Sequence, residues 1–187
     1  MIAAYARLTH WLESVLGPIL MPTAARLVFA GTLLVYYWNS AMTKTGEGIS
    51  GLWNLDFGAY TQILPRVFDA VGYDPSQIGV VGRLLAIAGT WAELALPALV
   101  VLGLLTRPAA LGMIGFILVQ TWVDIFGHGA GPETLGAWFD GTPGSLIADQ
   151  RAFWILALLV LVIRGAGPVS VDALVSRRPA AMARMTS

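Results

Sequence analysis

Apolar positions along the 187-residue chain gather into four long runs divided by polar connections. The pattern predicts helices over residues 22–44, 78–105, 108–126 and 146–164. A helix needs about 20 residues to cross the hydrocarbon of a bilayer, and the first three runs have them. The fourth is uninterrupted only over residues 152–163, roughly 18 Å of helix, so it spans by extending upstream through 145–151. Arg151 and Arg164 are then expected to snorkel outward to water.

The chain ahead of these runs has a different pattern. Ile2, Tyr5, Leu8, Leu12, Val15, Leu16 and Ile19 recur at helical spacing, with Arg7, His10 and Glu13 between them. Residues 1–20 read as an amphipathic helix lying on the membrane surface, not as a cleavable signal peptide. The expected fold is an all-α integral membrane protein, a four-transmembrane-helix bundle with an N-terminal amphipathic interfacial helix. Residues 21–176 form its membrane domain and 177–187 a basic cytoplasmic tail.

The turn at 103–108 is short, which makes the second and third spans antiparallel neighbours. The connections at 45–77 and 127–149 are longer and rich in aromatics and glycine. Loops of that length are often lids or binding elements. A short interfacial helix is expected near 58–71, capped by Asp56.

Composition agrees with a membrane protein. Hydrophobic residues make up 57% of the chain and charged residues 12%, about half the usual charged share. The 11 basic and 11 acidic groups are unevenly placed. Seven of the basic residues fall on the side of the two termini and the 103–108 turn, against four on the other side. The positive-inside rule then puts both termini on the cytoplasmic side. The lack of cysteine excludes thiol redox sites, iron–sulfur clusters and cysteine-type zinc sites. The two histidines, His10 and His128, lie on opposite sides, so one haem cannot bridge them within a subunit. No metal-binding or dinucleotide motif appears, and no basic footprint for nucleic acid.

Candidate chemistry rests on polar groups that the bilayer disfavours. Glu93 lies about 14 residues before Arg107, roughly 21 Å above that turn. A lone carboxylate at such depth costs about 3 kcal/mol, so it must be paired, protonated or hydrated. Arg83, Thr90, Glu93 and Pro97 share an arc of the same helix. Pro97 removes the amide that would bond the Glu93 carbonyl, so a kink is expected there. The first span presents Tyr36, Asn39, Ser40, Thr43 and Lys44. Lys44 is the preferred partner of Glu93, with Arg83 competing. Gln120, Asp124 and His128 follow at intervals of four on the third span and share a face. Together these residues are expected to line a polar cavity walled by Tyr37, Trp38, Trp91 and Trp122 and closed by Trp154. An apolar aromatic pocket with one acid and one base suits the ring and carbonyls of a quinone.

The chain also resembles a known family. The features are Lys44 at the end of the first span, the stretch Trp91-Ala92-Glu93-Leu94 running to the turn Gly103-Leu104-Leu105-Thr106-Arg107, and the closing Gly165-Ala166-Gly167-Pro168-Val169-Ser170-Val171-Asp172-Ala173-Leu174. They are similar to the DoxX family of small four-helix bacterial membrane proteins, over residues 22–176. The resemblance implies the four-helix fold and a role for Lys44, Glu93, Arg107, Ser170 and Asp172. The last two have a structural account as helix-capping residues. A related branch, DoxD, is the large subunit of a thiosulfate:quinone oxidoreductase. Other members are linked to oxidative or metal stress and to membrane redox complexes.

Two readings of function follow. In one, the protein is a redox-associated membrane component that binds quinone and works with a partner oxidoreductase. Glu93 is its proton carrier, Lys44 the charge partner, and Asp124 with His128 the outer access. In the other, it is a non-enzymatic scaffold, a small-solute permease or an accessory protein of a stress operon. Assembly as a homo-oligomer is open in both.

Overall fold

The computed structural model describes residues 1–176, so the expected basic tail at 177–187 lies outside the described residues. The elements in chain order are α1 (Ile2–Met42), the short α2 (Phe57–Ile63) and α3 (Pro65–Ala70), α4 (Val80–Leu102), α5 (Thr106–Gly127), the single-turn α6 (Pro132–Leu135) and α7 (Leu146–Arg164). Among the described residues, α1, α4, α5 and α7 are long and apolar enough to cross a membrane. They pack in the cyclic order α1–α4–α5–α7, each against two neighbours.

Every spanning helix contributes to the core. Phe29, Leu33 and Tyr37 come from α1 and Val100 from α4; Ala109, Ala110, Met113 and Ile117 come from α5, and Leu158 and Leu161 from α7. The alanines let α5 approach its neighbours closely, as small residues do between membrane helices. Opposite faces carry Leu27, Val35, Leu84, Leu111, Leu118 and Phe153, all exposed. Apolar residues pointing outward from four long helices are what contact with lipid requires.

One boundary differs from expectation. The amphipathic segment at 1–20 is not set off by a break, because α1 is continuous from Ile2 to Met42. Pro18 and Pro22 fail to stop the helix. The backbone widens to a π-helical turn at Leu12–Leu16, closed by a bond from the Gly17 amide to the Leu12 carbonyl. Such a turn absorbs the irregularity that a proline introduces. At about 1.5 Å per residue, 41 residues reach about 60 Å, twice the hydrocarbon thickness. The first ten helical residues bury nothing against the bundle.

The turn between α4 and α5 is clamped from two sides. Gly103 adopts a left-handed conformation (φ 67°) that ends α4, and a Cβ there would fall 2.6 Å from the Ser170 Cβ. Only glycine fits. Arg26 reaches across from α1 and donates to the carbonyls of Val100, Val101, Ala166 and Val169. It thereby satisfies carbonyls left open at the end of α4 and places a cation at that negative pole. Asp172 does the reverse for α5. Its carboxylate accepts from the amides of Leu105 and Thr106 at 2.8 and 3.0 Å, and from the Thr106 hydroxyl at 2.8 Å. The sequence places Asp172 in the first turn of its own segment, but it caps a distant helix instead. Ser170 accepts from the Ala173 amide at 3.1 Å and caps the local turn as expected.

At the opposite end, residues 45–78 fold into a lid over α4. Tyr60, Phe68, Ile78 and Ala86 form a second small core with Leu55, Ile63 and Val71 beside it. Asp56 caps α2 through the Phe57 amide at 2.7 Å. The single interfacial helix expected over 58–71 is broken in two, because Leu64 precedes Pro65 and cannot stay helical.

The Asp172 cap makes stability depend on pH. Burial raises this carboxyl, but the amides of Thr106 and Leu105, the Thr106 hydroxyl and the Arg26 charge outweigh it and hold it below the ordinary 3.8. A group depressed on folding stabilises fully above its unfolded value and loses that stabilisation as pH falls through the folded one. Asp172→Ala is expected to cost about 2 kcal/mol at neutral pH. Melting the purified protein in detergent between pH 7 and 3 should show the variant's deficit shrinking below about pH 4.

Candidate functional site

The site begins where α1 ends. Beyond Met42 the chain turns off the helix, with the Lys44 amide bonded to the Ala41 carbonyl at 2.9 Å and its carbonyl accepting from the Asp56 amide at 3.0 Å. The Lys44 side chain runs back along α1. Its ammonium donates to the Ser40 carbonyl at 2.9 Å, the Ser40 hydroxyl at 2.7 Å and Glu93 Oε2 at 2.8 Å. All three of its donors are used. Lys44 is 2% exposed and Glu93 6%. Arg83, the competing partner, is exposed on α4 nearer the lid.

Two further polar groups bind the helices at similar height. The Tyr37 hydroxyl donates to Gln120 Oε1 at 3.1 Å, and Gln120 Nε2 donates to the Tyr36 hydroxyl at 3.2 Å. On the far side, Arg151 donates to Thr121 Oγ1 at 2.7 Å and forms an ion pair with Asp124. The expectation that Arg151 snorkels outward is corrected: it is 2% exposed. The polar first turns of α7 are packed inside protein, and Asp124 offers a nearer counter-charge than water does. Arg151 Nε is buried without a hydrogen-bond partner among the described residues.

These groups border a cavity of about 830 Å³ between α1, α4 and α5, roofed by Gln62, Ile63 and Leu64 of the lid. Tyr36, Lys44, Glu93, Gln120, Asp124 and His128 line it. Asn39, Arg83, Thr90 and Trp91 do not. Thr90 is buried and bonds the Ala86 carbonyl at 2.9 Å. Trp91 turns to the lid, donating to the Leu52 carbonyl at 3.2 Å and packing on Trp53. Asn39 is exposed away from the cavity. An arc shared by residues on one helix faces two neighbours here, so only its Leu85, Ala88, Gly89, Ala92, Glu93 and Leu96 side borders the space.

The aromatic walls also differ. Of those expected, Trp122 lines the cavity. Tyr37 is in the core, where Trp154 packs on it and on Tyr36 and does not close the space. Trp38 donates to the Leu94 carbonyl at 3.1 Å, three residues before Pro97. That is one position along from the carbonyl expected to be freed by the proline.

Asp124 and His128 are displaced from ideal helical spacing. Val123–Gly127 is π-helical, with the His128 amide bonded to the Val123 carbonyl. His128 Nε2 lies 3.2 Å from the Gln62 carbonyl and so joins the end of α5 to the lid. A second π-helical turn, Leu146–Gln150, precedes Arg151. Such widened turns recur at functional sites. Gln62 and Arg151 were not singled out as lining residues. The one signal for Arg151 was a basic residue inside a span too short without it.

The DoxX family model matches residues 21–129, more than half the chain. The chain belongs to the DoxX family. The match takes in Lys44, Glu93, Gln120, Asp124 and His128, and it ends before α7 and the closing clamp. Searches of curated proteins and of solved structures returned no match.

The buried pair gives this DoxX protein a direct test. Lys44→Met leaves Glu93 unpaired in a buried place and is expected to cost about 3 kcal/mol. The double variant Lys44→Met/Glu93→Leu should recover much of that loss. Thermal unfolding in detergent of both single variants and the double variant measures the coupling; additive losses would show that the pair does not act as a unit.

Proposed function

We propose that this DoxX protein is a redox-associated membrane component whose cavity holds a quinone headgroup. The observation that carries the reading is the Lys44–Glu93 pair on the wall of a mainly apolar cavity. A quinone ring needs apolar walls, polar groups for its carbonyls and a proton source when it is reduced. Leu85, Ala88, Leu96 and Phe116 supply the first, and Gln120 and Arg151 the second. Glu93 supplies the third, with Lys44 as the charge that steadies its ionised form.

Reduction to the quinol takes two electrons and two protons. Both electrons come from a partner oxidoreductase; Glu93 passes one proton to a carbonyl oxygen and, once reprotonated, a second to the other carbonyl oxygen. The Asp124–Arg151 pair and His128 line the cavity toward the lid end of α5 and are the proposed route by which Glu93 is reprotonated. A bacterial inner membrane with cytoplasmic termini fits the distribution of basic residues.

A non-enzymatic reading has one observation in its favour. Lys44 fixes the end of α1 to the middle of α4, and a pure anchor would do the same. The two readings part on quinone. A tail-less benzoquinone titrated into the protein in lipid nanodiscs should quench tryptophan fluorescence saturably, and Gln120→Leu should weaken it about tenfold. A stable wild-type protein that binds no quinone overturns the redox reading and leaves the anchor.

A further inference from the structure

The cavity is edged by exposed residues on the membrane-spanning parts of two helices. Leu85 and Ala88 of α4, and Gly112, Gly115 and Val119 of α5, are exposed and line it. Its mouth therefore opens sideways toward the hydrocarbon. The edges are low because the residues are small. A Cβ at position 115 would have nothing within 4 Å, and one at 112 would meet only Leu96. On the roof, Ile63 of the lid sits 3.1 Å from where a Cβ of Gly89 would be. The lid thus closes the space above, and the gap between α4 and α5 is left open at the side.

A second feature lies across the cavity, toward the lid. Arg151 is buried and two of its nitrogens are held by Thr121 and Asp124, while Nε has no partner among the described residues. A buried donor without an acceptor is costly to keep, and this one belongs to a residue that lines the cavity. An acceptor oxygen carried by a ligand would satisfy it.

We infer that the ligand is a tailed amphiphile loaded from the bilayer: its head enters between α4 and α5 to accept a hydrogen bond from Arg151, and its apolar tail stays in the window at Gly112 and Gly115. This rests on the quinone reading and sharpens it, because it specifies an isoprenoid- or alkyl-tailed quinone and a lateral path. A tail lying on these residues gains the free energy of apolar burial that a bare ring does not. A water-soluble quinone reaching the cavity from the lid would gain nothing from the window.

The test compares two probes, decylubiquinone and its tail-less parent ring, by quenching of tryptophan fluorescence in nanodiscs. Trp122 lines the cavity and serves as a reporter. The wild-type protein should bind the tailed probe at least about tenfold more tightly, after correction for partitioning into lipid. Gly115→Phe fills open space and should fold; it should abolish that preference by weakening the tailed probe about tenfold more than the tail-less ring. Gly115→Ala should keep the preference, which separates blockage of the window from loss of a glycine. Arg151→Gln should weaken both probes alike, and Arg151→Lys should restore part of the loss. Equal affinity for the two probes in the wild type, or a tail preference that survives Gly115→Phe, overturns lateral loading while leaving quinone binding standing. Binding of neither probe overturns both.

Discussion

A lysine and a glutamate buried together at bilayer depth constrain the rest of this molecule. Neither charge can be left alone in hydrocarbon, so each must find the other within protein. Lys44 belongs to the end of α1 and Glu93 to the middle of α4, 49 residues later, and their contact at 2.8 Å sets how those two helices meet. The Ser40 hydroxyl and carbonyl complete the ammonium's bonding and hold it back along α1. Because the pair forms one wall, the space beside it remains a cavity in place of a close-packed seam.

The opposite end of the bundle solves a different problem with the same kind of chemistry. The last carbonyls of α4 and the first amides of α5 meet at one short turn. Arg26 covers the first set and Asp172 the second, so opposite charges stand at opposite helix poles. These two side chains come from α1 and from the chain beyond α7, and they hold all four spans at one point. The two ends divide the work: the turn end fixes the bundle, and the lid end leaves room for a ligand. The π-helical turns at Val123–Gly127 and Leu146–Gln150 both lie at the lid end, beside Asp124 and Arg151.

Much of this was legible in the residues. Periodicity and length marked the four spans, and Glu93 stood out because a bilayer makes an acid at that depth expensive. The choice of Lys44 over Arg83 followed from reach along the helices. Other features were hidden for identifiable reasons. The helical arc containing Thr90, Glu93 and Arg83 could be drawn from spacing, but spacing does not say which neighbour each degree of that arc faces. Trp91 and Trp38 look like cavity walls on a wheel and in fact bond backbone carbonyls elsewhere. Arg151 looked like a residue seeking water, because its partner Asp124 is 27 positions away. The change of pattern near residue 20 suggested a separate surface helix, but the backbone runs through it without a break.

The sequence by itself determined the class of the protein: four apolar spans, a buried acid with a base to match it, no cysteine chemistry and membership of the DoxX family. Those properties depend on composition and on periods of a few residues, and both are written locally along the chain. Only the tertiary structure decided which polar groups share the cavity, where Arg151 and Asp172 find their partners, and on which side the cavity opens. The reason is that hydrocarbon makes every buried polar group seek a partner but does not say which. The choice is made by the order in which the helices pack and by the small residues that leave the gap between two of them unfilled.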